Sequence, residues 1–128
     1  MTPPVDTLED RLSRWARVLD PRERAAVTAL LEERTLLVRQ DFRRLVIIDD
    51  QETGTACCDW ALLCQNLYRN AIGAGDRAFL ELVLSLACHH RTNLGGRLAD
   101  LSRERQAIIL RAIAGAAGDD TINVSPRL

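Results

Sequence analysis

The tetrapeptide Asp20-Pro21-Arg22-Glu23 constrains the fold of this chain more than any other segment. Asp offers a carboxylate to the first free amides of a helix, Pro fits the first helical position without losing a needed hydrogen bond, and Glu three residues after the Asp closes a capping box. A helix starts here, and it is a new one. On its N-terminal side Leu8, Leu12, Trp15 and Leu19 fall at spacings of four, three and four, the stripe of an amphipathic helix. Asp6 with Glu9, or Thr7 with Asp10, can cap that first helix. The second runs through Ala26, Val27, Leu30 and Leu31 towards Leu37, so residues 5–38 are expected to form a helical hairpin. Arg11, Arg14 and Arg17 sit three apart, with Glu9 and Asp10 nearby, and read as a solvated face of ion pairs or a docking ridge.

The stretch Asp41-Phe42-Arg43-Arg44-Leu45-Val46-Ile47-Ile48 fits either a buried strand or a short helix capped by Asp41. No other segment offers a partner strand, so helix is the expectation, followed by a polar loop over residues 49–54. Thr55 can cap the next helix, with Trp60, Cys64, Leu67 and Ala71 as its stripe and Gly73-Ala74-Gly75 as its stop. Asp76 then caps a helix from Arg77 to about His90 that has almost no polar face, which marks it as the centre of a bundle. His89, His90 and Arg91 are expected in its last turn, where positive charge suits the helix dipole. Thr92, Asn93, Gly95 and Gly96 mark a turn before a short segment with Leu98 and Leu101. Ser102 caps a last helix with Ile108, Ile109, Leu110 and Ile113, ended by Gly115 and Gly118. Residues 119–128 read as a flexible tail.

The expected fold is therefore all-α: one compact bundle of five or six helices over residues 1–118, with the hairpin at 5–38 and a core at 41–116. Composition agrees. At 128 residues the chain has the size of one domain, its 47% hydrophobic and 27% charged residues are those of a globule, and its five aromatic residues favour a core of aliphatic helices. The apolar runs, such as residues 45–48, are too short to span a bilayer, and residues 1–4 lack the layout of a signal peptide. A cytoplasmic protein with reduced thiols, and no membrane partner, is expected.

All 17 basic residues are Arg, which suits either a GC-rich coding sequence or bidentate recognition of carboxylate and phosphate. Arg and acid counts are 9 and 8 over residues 1–44, 3 and 6 over 45–96, and 5 and 4 over 97–128. No segment has the positive excess of a phosphate-neutralising surface, so nucleic acid is the lesser expectation. Cys57, Cys58, Cys64 and Cys88 with His89 and His90 supply the ligand types of a zinc site or a Cys–His pair, but they lack the close pairing of zinc ligands and the flanking groups of a reactive thiol. Gly73-Ala74-Gly75 and Gly95-Gly96 lack the residues of phosphate loops, and Asp49, Asp50 and Glu52 lack the alternation of a calcium loop. No catalytic residue, metal or cofactor is expected.

Residues 28–101 resemble the bacterial effector-associated domains, small death-domain-like helical bundles that link components of conflict and defence systems through homotypic contacts. The resemblance rests on Phe42-Arg43-Arg44-Leu45-Val46, on Ala56 with Trp60-Ala61-Leu62-Leu63, on Ala71-Ile72-Gly73-Ala74-Gly75, on the buried residues 80–87, and on Asn93-Leu94. Two features depart from the pattern: an N-terminal hairpin and C-terminal helix stand where an effector is usually fused, and Arg91-Thr92 replaces a proline. The resemblance implies a stand-alone, non-enzymatic adaptor or regulator, in self-association or with a protein partner. The residues expected to carry binding are Arg11, Arg14, Arg17, Arg43, Arg44, Arg103 and Arg105. The alternative is a small helical subunit of a nucleoprotein complex that binds DNA or RNA with the same arginines gathered on one face.

Overall fold

The computed structural model describes residues 7–50, 52–68, 72–88 and 90–118, so the expected tail at 119–128 and residues Asp6, Ala71 and His89 lie outside it. Helix α1 (Leu8–Ala16) begins in a capping box in which Thr7 and Asp10 exchange side-chain and backbone bonds. Its stripe of Leu8, Leu12 and Ala16 is buried. Helix α2 (Pro21–Glu33) starts as the tetrapeptide predicts, with the Asp20 carboxylate accepting from the Glu23 amide at 2.9 Å. The Glu23 side chain is used elsewhere: it accepts the indole N–H of Trp60 at 2.9 Å, which ties α2 to a distant helix. Helix α2 ends at Glu33, four residues before Leu37, because the C-cap Arg34, with a φ of 70°, turns the chain left-handed and stops the hydrogen-bond ladder. Leu36 and Leu37 stay buried in the turn that follows.

Helix α3 (Gln40–Val46) stops before Ile47, a departure from the expected all-helical bundle. Residues Ile47–Asp50 form strand β1, which pairs antiparallel with β2 (Thr55–Cys58) in the register Ile47 opposite Cys58 and Asp50 opposite Thr55. The missing partner strand is thus Thr55–Cys58, close enough to be reached through a tight turn at Gly54, φ 69°. Thr55 accordingly caps no helix. Asp59 caps α4 (Trp60–Asn66), accepting from the Leu62 amide at 3.0 Å.

Gly73 is the N-cap of α5 (Ala74–Ala87), so Gly73-Ala74-Gly75 opens this helix, and Asp76 lies in its first turn. The central position expected for this helix is what the structure shows: residues 78–84 are buried in an unbroken run. It ends at Ala87, with Cys88 as C-cap, which leaves His90 and Arg91 beyond its last turn. Asn93 caps the short α6 (Leu94–Ala99), and Ser102 caps α7 (Arg103–Ala116), accepting from the Arg105 amide at 3.3 Å.

Helix α2 packs on both α5 and α7; α1 lies over α2 and β2, α3 over α4, and α6 over α5. Leu12, Leu30, Leu37, Leu63, Phe79 and Ile109 belong to one contiguous apolar cluster. At the α2–α7 seam a Cβ on Gly115 would meet the Ala25 Cβ at 4.0 Å, so small residues set how closely these helices cross. No helix among the described residues is long and apolar enough to cross a membrane.

Candidate interaction face

Two arginines of the α1 ridge, Arg11 and Arg14, face the β-hairpin. Arg11 is only 7% exposed, and its Nε and Nη2 donate to Asp49 Oδ1 and Oδ2 at 2.9 and 2.8 Å. One turn on, Arg14 Nη2 donates to the Gly54 carbonyl at 3.1 Å. The two side chains strap α1 to the stem and tip of the hairpin. Arg105 is similarly engaged: Nη2 donates to Glu33 at 3.2 Å and Asp76 at 2.9 Å, with the guanidinium carbon 5.3 Å from the Phe79 ring centroid. Asp76 also accepts from Arg39 at 3.0 Å, and Arg39 holds Asp41 at 2.8 Å, so this network joins α2, α3, α5 and α7. The Arg39 bond, with a smaller coulombic part, holds the Asp41 carboxyl below the usual range. Arg43 donates to the Leu37 carbonyl.

Of the seven arginines expected to bind a partner, Arg17, Arg44 and Arg103 alone are exposed with guanidinium groups that engage no carboxylate or carbonyl among the described residues. They stand at the end of α1, on α3 and at the start of α7. Sequence reading did not single out the arginines that serve carbonyls at helix ends and in the turns beside them. Arg24 donates to the Ala16, Arg17 and Leu19 carbonyls at 3.1, 3.3 and 2.8 Å, closing the C-terminus of α1. Arg77 does the same for the Leu67 and Ile72 carbonyls at 3.3 and 3.2 Å. The signal was the absence of Lys, since a planar fork with five donors serves several carbonyls at once and an ammonium does so poorly.

With most arginines engaged inward, the outer face of α7 stands out. Ala107, Ile108, Ile109 and Ala112 turn into the core, whereas Leu110 and Ile113 are 42% and 37% exposed. Together with Arg103, Gln106 and Ala117 they repeat at three and four residues, the spacing of a helix–helix seam. Gln106 at its edge donates to the Leu98 carbonyl at 2.9 Å, fixing α6 beside the stripe. On the α2 flank of α7 lies a cleft of about 380 Å3 whose walls include Ala25, Thr28, Ala29, Ala112 and Gly115. Arg111 and Glu32 pair across it at 2.9 Å.

The cysteines fall in two places. Cys57 and Cys58 are on β2, and burial pushes the Cys58 thiol well above its ordinary range. Cys64 on α4 lies 3.9 Å from His90 Nδ1, burial and then the neighbouring Cys88 push its thiol above the usual range, and the Cys88 thiol donates to the Leu84 carbonyl at 3.2 Å. No group of three or more His, Cys, Asp or Glu among the described residues is arranged to hold a metal ion. Glu81, buried on α5, accepts from the Tyr68 hydroxyl and from Thr92 Oγ1 at 3.2 Å, with Arg97 Nε at 3.5 Å. That bond to Glu81, and then burial, push the Tyr68 phenol above its usual range. Comparison with protein-family models, curated proteins and solved structures returns no match.

Proposed function

We propose that the protein is a non-enzymatic interaction module that pairs with a second copy of itself through the outer face of α7, and so serves as an adaptor or regulator. The observation that carries this reading is the exposed stripe of Leu110 and Ile113, at seam spacing, on a helix whose opposite side is core. Water-facing apolar side chains on one helix gain by covering one another. A two-fold antiparallel pairing makes the stripe its own complement. It also sets Arg103 of each copy beside the C-terminal, electronegative end of the other α7, a favourable charge contact. The setting is the one implied by the resemblance to effector-associated domains: a cytoplasmic component of a bacterial defence or stress pathway.

Size-exclusion chromatography with light scattering, over a hundred-fold concentration range at low and high salt, tests the reading. The expected result is a monomer–dimer equilibrium that salt weakens only modestly, because apolar contact dominates it. A strict monomer at every concentration overturns self-association and turns attention to a foreign protein or to nucleic acid. A dimer that salt dissolves completely moves the contact from α7 to the free arginines Arg17 and Arg44.

A further inference from the structure

Cys64, Cys88 and His90 come from three parts of the fold, namely α4, the C-cap of α5 and the chain just beyond it. Cys88 lies on the wall of an open surface depression of about 590 Å3, together with Arg22, Ser85, His90, Arg91 and Thr92. Cys64 Sγ lies 3.9 Å from His90 Nδ1, and the Cys88 thiol is near enough to help burial push the Cys64 thiol up. The second ring nitrogen, His90 Nε2, is buried without a hydrogen-bond partner among the described residues. Such orphaned polar atoms are few in folded proteins, and a catalytic or redox role is one of the reasons they are kept. Arg22 and Arg91 give the depression a positive lining, and no acidic side chain among the described residues stands on its walls.

We propose that Cys88 and Cys64 form an exchange-active dithiol, oxidised to an intramolecular disulfide by a small disulfide that carries carboxylates, of the glutathione disulfide type. The Cys88 thiolate, its proton given to solvent, attacks one sulfur of the oxidant. The oxidant's S–S bond breaks, one thiolate leaves, and Cys88 is held as a mixed disulfide. Cys64 then passes its proton to His90 Nδ1 and its sulfur attacks Cys88 Sγ, expelling the second thiolate, which recovers that proton. Two electrons pass from the two cysteines to the oxidant, which ends as two thiols. The order follows from position: Cys88 lines the opening, whereas burial and the neighbouring Cys88 thiol keep Cys64 protonated until a base takes the proton. The carboxylates of the oxidant meet Arg22 and Arg91.

The reduced full-length chain, incubated with glutathione disulfide and quenched with an alkylating reagent, is read by intact mass and peptide mapping. Two of the four thiols are expected to escape alkylation, in a single cross-linked pair of Cys64 and Cys88. Cys64→Ser is expected to stop with one glutathionyl group on Cys88, and Cys88→Ser to give neither product. His90→Gln is expected to prolong the mixed disulfide without slowing its formation. Removing both charges with Arg22→Ala and Arg91→Ala is expected to slow the reaction about three- to tenfold at low salt, and to leave the rate with uncharged hydroxyethyl disulfide unchanged. Four thiols that all remain alkylatable, or a cross-link through Cys57 or Cys58, overturn the proposal.

Discussion

Arg11 and Asp49 meet through two parallel hydrogen bonds with side chains 8% and 25% exposed, so each charge depends on the other for what water no longer supplies. Arg11→Ala is expected to cost about 2–3 kcal/mol in urea unfolding, less than a fully buried pair because Asp49 keeps some water. Tyr68 offers a second test at this scale, because it is the one tyrosine of the chain and its titration can be followed directly by ultraviolet absorbance. Its phenol loses a proton at higher pH in the folded state than in the unfolded one, since the hydroxyl donates to the Glu81 carboxylate. The stability from this contact is therefore complete below the ordinary phenol range and is lost as pH rises through the folded value. The absorbance midpoint is expected above that of free tyrosine, and to fall towards it in Glu81→Gln.

Three helix starts, those of α1, α2 and α7, were legible. Thr7 with Asp10, Asp20 and Ser102 act as the caps their sequence positions imply, because a cap is a local bond between a side chain and an amide three residues on. Ser102→Ala is expected to lower stability by about 1 kcal/mol, seen as a shifted unfolding midpoint with an unchanged denaturant slope. The β-hairpin was not legible. Each strand has four residues, too few for alternation to outweigh a helical reading, and Ile47 and Ile48 choose extension only because Cys57 and Cys58 lie opposite them. Gly73-Ala74-Gly75 misled for a related reason: glycine marks either end of a helix, and what decides here is the buried run that follows it.

Across the whole molecule, the single apolar core and the central place of α5 could be read from the sequence, since a helix without a polar face has nowhere else to go. The exposed stripe of α7 could not. Residues 107–114 are apolar on nearly every side, so periodicity left open which of Ile108, Ile109, Leu110 and Ile113 turn inward. Nor could the engagement of the arginines be read, because Arg11 and Arg105 find carboxylates on distant elements and Arg43 a carbonyl in the turn before α3. Leu110→Asp with Ile113→Asp is expected to leave thermal stability within about 1 kcal/mol, as for surface positions generally, and to give monomer by light scattering at concentrations where the parent chain is expected to dimerise. The packing of α2 against α7 also bears on how the chain is made. Glu32 and Arg111, which pair across that seam, are 79 residues apart. On a ribosome, where residues nearer the N-terminus emerge first, α1 and α5 can settle on α2 early, but the side of α2 that α7 covers stays open until residues 103–116 have been released.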